Sequence, residues 1–189
     1  MKVILTGFEP FDKNDINPSW EAVKKVHDID GIEIIKLKLP VVYEKASNML
    51  INKVEEEKPD IVISTGLAIS RTEVTVERVA ININDASIPD NNGVLLRDSA
   101  IYPDGENAYF ATLPLRNIVD AINEKGIKAS ISNSAGTYVC NNVMYSLLYY
   151  IDKNDKNISG GFIHLPYDLS DNMVKALETA IKETVKSRV

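Results

Sequence analysis

The segment Ile61-Val-Ile-Ser-Thr-Gly66 decides the fold, because a short apolar run that ends in small polar residues and a glycine is typical of a buried strand. The residues before it predict a helix that ends ahead of Pro59. Its apolar side chains recur at helical spacing on one face: Val42, Ala46, Met49, Leu50 and Val54. The chain therefore places a helix directly before a buried strand.

The same alternation extends over the whole chain. Lys2–Leu5 predicts a first strand, and Asn17-Pro-Ser19 opens a helix that runs through Val26 with the proline in its first turn. Further strands are predicted at 33–39, 73–83, 129–132 and 161–165, further helices at 115–126, 139–151 and 171–185, and a long polar loop at 85–106. This pattern predicts an α/β fold: one domain over residues 1–189, a three-layer α/β/α sandwich around a mostly parallel twisted sheet.

Composition predicts a globular protein that binds neither nucleic acid nor membrane. The 44% hydrophobic and 25% charged fractions are ordinary for globular chains, and 189 residues suit one domain. A formal net charge of −6 disfavours a polyanionic partner. No apolar run approaches the roughly 20 residues of a membrane span.

The single cysteine, Cys140, indicates a reducing compartment, because it allows no internal disulfide. The apolar run after Met1-Lys2 is too short to form the core of a signal peptide. We therefore expect a cytoplasmic protein.

Histidine and cysteine are so scarce that a Cys–His pair has only two possible compositions, since the chain has one Cys and two His. His27 follows a helix among charged residues, which is typical of a solvated side chain. His164 lies at the carboxyl end of the strand 161–165, and open α/β sheets bind ligands outside the carboxyl ends of their strands. His164 is therefore the candidate general base.

Cys140 begins the predicted helix 139–151, where unpaired N–H groups and the helix dipole favour a thiolate. We expect this position to lower the thiol pKa, and the same N–H groups to hold an oxyanion. The alternative is a small buried hydrophobe, because Cys140 shares a helix face with Met144, Leu147 and Leu148.

Glu77 is the candidate carboxylate that orients the imidazole. On the predicted strand 73–83 it shares a face with Val79, Ile81 and Ile83, and a carboxylate on an apolar face is costly without a partner. A salt bridge to Arg71 or Arg78 would also explain its position. Asp168 is a rival orienter, or a turn residue before the last helix.

Motifs for cofactors and metals are weak. Gly160-Gly161 precedes a strand and so does not form a phosphate-binding loop, and no Gly-x-Ser-x-Gly elbow occurs. Two isolated histidines give no zinc spacing. We expect no metal and no cofactor.

Six blocks of the chain resemble the pyrrolidone-carboxylate peptidase (pyroglutamyl peptidase I) family, in the family's order and over nearly the whole chain. They are Thr6-Gly-Phe-Glu-Pro-Phe11, Asn17-Pro-Ser-Trp-Glu-Ala-Val23, Glu77-Arg-Val-Ala-Ile-Asn82, Ile88-Pro-Asp-Asn91, Ser134-Ala-Gly-Thr-Tyr-Val-Cys-Asn141 and Gly161-Phe-Ile-His-Leu-Pro-Tyr167. The Cys and His blocks together are highly specific. The resemblance implies a cysteine omega-peptidase that removes an N-terminal pyroglutamyl (5-oxoproline) residue from peptides.

The resemblance also implies a phosphorylase/hydrolase-like α/β fold and no cofactor. It places a catalytic triad on Glu77, Cys140 and His164. It implies the following substrate-binding residues: Phe8 and Phe11 as a clamp on the pyroglutamyl ring, Tyr138 and Val139 as further wall positions, and Leu67 and Arg71 at matching positions.

Three departures from the family pattern leave other readings open. Ser87 stands where microbial members usually carry Arg, Ser70 stands where the family has Gly, and the stretch between Tyr167 and the last helix is shorter. The alternatives are a non-catalytic homologue, or one that binds or hydrolyses another small lactam or N-acyl amide. The resemblance further implies a homo-oligomer, either a tetramer or a dimer.

Overall fold

Strands and helices alternate along most of the chain in the computed structural model, which describes residues 1–12, 14–154 and 156–188. The strands are β1 (Lys2–Phe8), β2 (Glu33–Leu39), β3 (Ile61–Leu67), β4 (Val74–Glu77), β5 (Val79–Ile81), β6 (Ala108–Phe110), β7 (Ala129–Ser132) and β8 (Ser159–Leu165). The helices are α1 (Pro18–Lys25), α2 (Lys45–Glu57), α3 (Leu115–Glu124), α4 (Val139–Lys153) and α5 (Asp171–Arg188).

Six of the strands form one sheet in the order β2-β1-β3-β8-β4-β7. The first four are mutually parallel, which requires a crossover helix between successive strands. β4 pairs antiparallel with β8 and parallel with β7. The expected mostly parallel sheet is confirmed, with two reversed strands at one edge.

The two faces of the sheet carry different helices. Val3, Leu5 and Ile63 point to a core formed with α1, α3 and α5, whereas Ile4 and Val62 point to a core formed with α2 and α4. Alternate residues of each strand face opposite sides, so both faces are apolar, as parallel strands require. The predicted three-layer α/β/α arrangement is confirmed.

Helix α1 lies unusually close to the first strand. A Cβ at Gly7 would stand 2.8 Å from the backbone nitrogen of Trp20, so only glycine permits this approach. The Ser19 hydroxyl then accepts a hydrogen bond from the Phe8 N–H at 3.0 Å. This contact fixes the carboxyl end of β1, where the aromatic segment begins.

The prediction of one strand over 73–83 was wrong, because the chain divides at Arg78 into β4 and β5. Strand β5 leaves the main sheet and pairs with β6. The Asn141 side chain on α4 holds it there, accepting from the Ile81 N–H at 3.0 Å and donating to the Ile81 carbonyl at 2.9 Å. Glu77 therefore does not share a continuous apolar strand face with Val79 and Ile81.

The predicted long loop lies between β5 and β6. Residues 85–106, all of them described, contain no helix or strand. The loop is nevertheless tied down, since the Asp85 N–H donates to the Thr137 carbonyl at 3.0 Å and the Asn91 N–H to the Val41 carbonyl at 2.9 Å. These bonds hold the loop against the carboxyl end of the sheet.

Within the described part of the chain, every helix is too short or too polar to cross a membrane.

Candidate active site

A buried hydrogen bond joins Glu77 at the end of β4 to His164 near the end of β8. The Glu77 carboxylate is fully buried and its Oε1 lies 2.7 Å from Nδ1 of His164, which is 4% exposed. Because the acceptor is a carboxylate, Nδ1 carries the proton and leaves Nε2 with its lone pair. This arrangement fixes the tautomer of a base.

Arg71 completes the surroundings of this carboxylate. Its Nη1 donates to Glu77 Oε1 and to the Thr75 hydroxyl, and its Nη2 donates to the Ser134 carbonyl at 2.9 Å. One guanidinium therefore connects β4 to the loop that leads into α4. A buried carboxylate requires such a cationic partner.

Cys140 reaches the sheet directly beside His164. A Cβ at Gly66 would stand 2.8 Å from Cys140 Sγ and 2.9 Å from the Phe162 ring. Gly66 and His164 are partners in the register of β3 and β8, so their positions are adjacent on one face. The missing side chain at Gly66 therefore makes room for the sulfur next to the imidazole, whose ring centre is 4.8 Å from that of Phe162.

The start of α4 supplies free backbone donors around the sulfur. No side chain among the described residues caps this helix, and its first turn closes with the Asn142 N–H donating to the Tyr138 carbonyl at 3.1 Å. The amides that precede Asn142 in the first turn have no intrahelical acceptor. Together with the helix dipole they favour an anion at Cys140.

Burial sets the resting protonation of the three groups. Burial lowers the pKa of His164 despite the opposing effect of its hydrogen bond to Glu77, so the imidazole is neutral near pH 7. Burial alone would raise the pKa of Glu77, but the hydrogen bond and charge of His164 and the contacts with Ser132 and Arg71 lower it overall. The carboxylate is therefore ionised.

The expected lowering of the thiol pKa does not occur in this resting state. Burial raises the pKa of Cys140 to about 12, with a further contribution from the Glu77 charge, and the Arg71 charge only partly opposes it. Desolvation outweighs the helix terminus here because the sulfur lies between apolar walls. The resting pair is a thiol beside a neutral imidazole.

An apolar cleft opens beside the sulfur. It is lined by Phe8, Phe11, Asn17, Val41, Leu67, Tyr138, Val139 and Cys140. The Phe11 and Tyr138 rings lie 6.3 Å apart across it, and the Tyr43 ring meets Tyr138 edge to face at 5.7 Å. The cleft suits a small, flat and uncharged group.

A family model described as "Pyroglutamyl peptidase" matches residues 1–184. The chain belongs to this family. Pyrrolidone-carboxylate peptidase of Brachyspira hyodysenteriae (strain ATCC 49526 / WA1) is 53% identical, with 98% of this chain and 99% of that protein covered. Pyrrolidone-carboxylate peptidase 1 of Caldanaerobacter subterraneus subsp. tengcongensis is 50% identical over 99% of each chain.

Solved structures of family members share the fold. The crystal structure of pyroglutamyl peptidase I from Bacillus amyloliquefaciens has a TM-score of 0.93 and 39% identity, covering 97% of this chain and 94% of that one. A mutant (E192D) of pyrrolidone carboxyl peptidase from Pyrococcus furiosus has a TM-score of 0.96 and 38% identity over the whole of both chains. The family resemblance inferred from the six sequence blocks is confirmed.

The structure brings most of the expected site residues to one place. Glu77 and His164 are bonded, the Cys140 sulfur lies over Gly66, the register partner of His164, and the expected substrate-binding residues other than Arg71 line the cleft. Arg71 instead lies behind Glu77. The catalytic and binding roles of these residues remain predictions.

The rival residues lie elsewhere. Asp168 accepts hydrogen bonds from Ser170 at 2.8 and 3.0 Å, as a turn residue does, and is not the partner of His164. The His27 side chain is 82% exposed and contacts Glu178 at 2.7 Å. The described residues include no group of three or more His, Cys, Asp or Glu side chains placed to hold a metal ion.

Three residues of the site were not predicted from the sequence. Asn17 and Val41 line the cleft, and Gly66 makes the space for the sulfur. Asn17 was assigned only to the start of a helix, although its side chain also donates to the Glu9 carbonyl at 2.9 Å. The Thr65-Gly66 pair after a strand was the available signal for a close approach.

Proposed function

We propose that this protein is a cysteine omega-peptidase that removes an N-terminal pyroglutamyl residue from peptides, with Glu77, Cys140 and His164 as its triad. The observation that carries the proposal is the bonded Glu77–His164 pair beside a lone cysteine at the start of a helix, next to an apolar cleft. The relatives named pyrrolidone-carboxylate peptidase support the substrate class.

Acylation begins from the neutral pair. As Cys140 Sγ attacks the pyroglutamyl carbonyl carbon, its proton passes to His164 Nε2, and Glu77 stabilises the resulting imidazolium. The carbonyl oxygen becomes an oxyanion, which the backbone N–H groups at the start of α4 hold. His164 then gives the proton to the leaving amine, the C–N bond breaks and a thioester remains.

Deacylation uses the same base. His164 Nε2 takes a proton from water, the hydroxide attacks the thioester carbonyl, and the C–S bond breaks. The proton returns to sulfur and 5-oxoproline leaves. No step requires a metal or an organic cofactor.

Arg71 acts in this scheme as a positioning residue. Its contacts with Glu77, Thr75 and Ser134 support a role in holding the carboxylate ionised and aimed at His164, and it does not line the substrate cleft. We therefore assign Arg71 to the triad's support, in place of the expected substrate contact.

The cleft accounts for the choice of substrate. Pyroglutamate has a neutral lactam ring and lacks the α-ammonium of an ordinary N-terminus. Apolar walls such as Phe8, Phe11 and Leu67 accept such a ring and offer no carboxylate to an ammonium group. The Asn17 oxygen already accepts from Ser19 and one Nδ2–H donates to the Glu9 carbonyl, so the second Nδ2–H is the group available for a lactam hydrogen bond.

The test is hydrolysis of a fluorogenic pyroglutamyl amide by the wild type and by Cys140→Ala, with a prolyl amide as the matched control substrate. We expect release from the pyroglutamyl amide alone, and a loss of at least about 1,000-fold in kcat for Cys140→Ala, because the covalent step disappears. A folded, reduced wild type without activity would contradict the proposal. Release from other N-acyl amides instead would favour a homologue of altered specificity.

We also propose a homo-oligomer, either a dimer or a tetramer, in the cytoplasm. An exposed apolar face on the β5–β6 ribbon supports self-association, since Phe110 is 70% exposed. A reducing compartment suits a catalytic thiol that must stay unoxidised.

A further inference from the structure

The two phenylalanines of the cleft, Phe8 and Phe11, lie on a segment that the Glu9 carboxylate holds in place. Glu9 lies between Phe8 and Phe11, and its Oε1 accepts a hydrogen bond from the Val41 N–H at 3.2 Å. The Glu9 N–H donates to the Leu39 carbonyl at 2.9 Å. Glu9 therefore fixes the distance between the aromatic wall and the Val41 wall.

Asn91, from the long loop, bonds to both walls at once. Its Nδ2 donates to Glu9 Oε1 at 2.8 Å and to the Pro10 carbonyl at 2.9 Å, and its backbone N–H donates to the Val41 carbonyl at 2.9 Å. Two neighbouring residues of the loop reinforce this anchor. Asp90 accepts from the Tyr43 N–H at 3.0 Å, and the Pro89 carbonyl accepts from the Tyr138 hydroxyl at 2.9 Å.

These bonds meet at one point although the residues are far apart in the chain. The loop tip 89–91 contacts three of the segments that line the cleft, namely the aromatic segment 8–11, the Val41 segment and Tyr138. None of the bonds involves Glu77, Cys140 or His164. The bonds of Glu9 and Asn91 therefore support the cleft apart from the triad, whereas the Pro89 bond reaches Tyr138 at the start of α4.

We propose that Glu9 and Asn91 are positioning residues that set pyroglutamyl specificity, by holding Phe8, Phe11 and Val41 at the spacing of a lactam ring. The inference rests on the proposed function, because the ring is the group that the walls must fit. Neither residue touches the reacting atoms. Their loss widens the cleft and weakens ring binding, while the triad is left as it is.

The decisive variant is Asn91→Asp, which removes the donor and sets a second carboxylate against Glu9. We expect KM for the pyroglutamyl amide and the inhibition constant of free 5-oxoproline both to rise about tenfold or more, with kcat within about twofold of wild type. The pH dependence of Cys140 alkylation by iodoacetamide should be unchanged, because it reports the protonation of the triad and not the width of the cleft.

Two matched variants separate the effect of the Glu9–Asn91 hydrogen bond from the effect of charge at the loop tip. Asn92→Asp adds the same charge one residue away, where Asn92 engages Asp90 through its backbone N–H at 2.9 Å, and should keep the wild-type KM. Glu9→Gln keeps an oxygen that accepts from the Val41 and Asn91 donors and removes only the charge. It should raise KM less than Asn91→Asp does.

Each outcome decides the inference. An unchanged KM for Asn91→Asp, or a fall in kcat alone, overturns it, as does an Asn92→Asp variant whose KM rises as far as that of Asn91→Asp. Should Asn91→Asp not fold, Asn91→Ala removes the same bonds without adding charge, and an unchanged KM there overturns it equally. An inactive wild type overturns the proposed function itself and this inference with it.

Discussion

The Glu77 carboxylate opposes the effect that burial has on His164. Burial lowers the pKa of His164, whereas the hydrogen bond and charge of Glu77 raise it. The base is therefore neutral at rest, yet its protonated form is stabilised when the thiol gives up its proton. Arg71 keeps the same carboxylate ionised, although its own positive charge disfavours an imidazolium.

This balance predicts the pH profile of Glu77→Gln. Activity is lost as the pH falls through the pKa of His164, since a protonated imidazole cannot accept the thiol proton. In the wild type this acid limb of kcat/KM lies below the ordinary histidine pKa of about 6.5. Without the Glu77 charge the limb moves lower still, and kcat falls by about 100- to 10,000-fold.

The pH dependence of kcat/KM for the two proteins measures both effects. Asp168→Asn is the matched control, because it neutralises the rival carboxylate, which bonds Ser170. It should keep the wild-type profile. An acid limb that stays in place or moves up in Glu77→Gln would contradict the assigned role of the carboxylate.

At the scale of elements, helix α4 packs closely over β3 and β8 at two glycines, Gly66 and Gly160. Gly66→Ala would push a methyl group to within 2.8 Å of Cys140 Sγ and 2.9 Å of Phe162. The start of α4 or the Phe162 ring must then move. We expect kcat/KM to fall at least tenfold, with a loss of about 1–3 kcal/mol in the free energy of unfolding.

Gly160→Ala provides the control for Gly66→Ala. Its new methyl group would also meet α4, at 2.8 Å from Ile151 Cδ1, but there it touches the end of a flexible side chain far along the helix from Cys140. Denaturant unfolding together with kcat/KM separates the two variants. Comparable losses of activity in both would mean that the space above Gly66 has no special part in placing the sulfur.

The sequence patterns predicted the strands and helices better than they predicted the contacts between them. The alternation of strands and helices followed from periodicity, and Cys140 and His164 were conspicuous because the chain has so few residues of their kinds. The break at Arg78 was not readable, because local alternation continues through it and Ile81 is held away from the main sheet by the Asn141 amide, 60 residues further along the chain. The sequence offered Arg71 or Arg78 as the salt-bridge partner of Glu77; the structure confirms Arg71, whereas Arg78 bonds Asn133, a choice that spacing does not specify.

At the scale of the whole molecule, the β5–β6 ribbon has two unlike faces. Ala80 and Tyr109 face α4 within the second core, whereas Phe110 is 70% exposed and Ile81, on the same outer face, 37% exposed. Burying such a face between subunits would stabilise an assembly by roughly 2 kcal/mol for each large side chain covered. The ribbon is therefore the surface through which the proposed oligomer is expected to form.

Phe110→Asp tests this surface, because a carboxylate at the centre of an apolar interface is left without a partner. We expect the wild type to show a multiple of the 21.0 kDa chain mass by light scattering after gel filtration, and the variant to show a lower multiple at the same concentration. Leu169→Asp, at a residue 45% exposed on a different part of the molecule, is the matched control and should assemble as the wild type does. A monomeric wild type would contradict the oligomer, whereas an unaltered Phe110→Asp assembly would move the interface to another face.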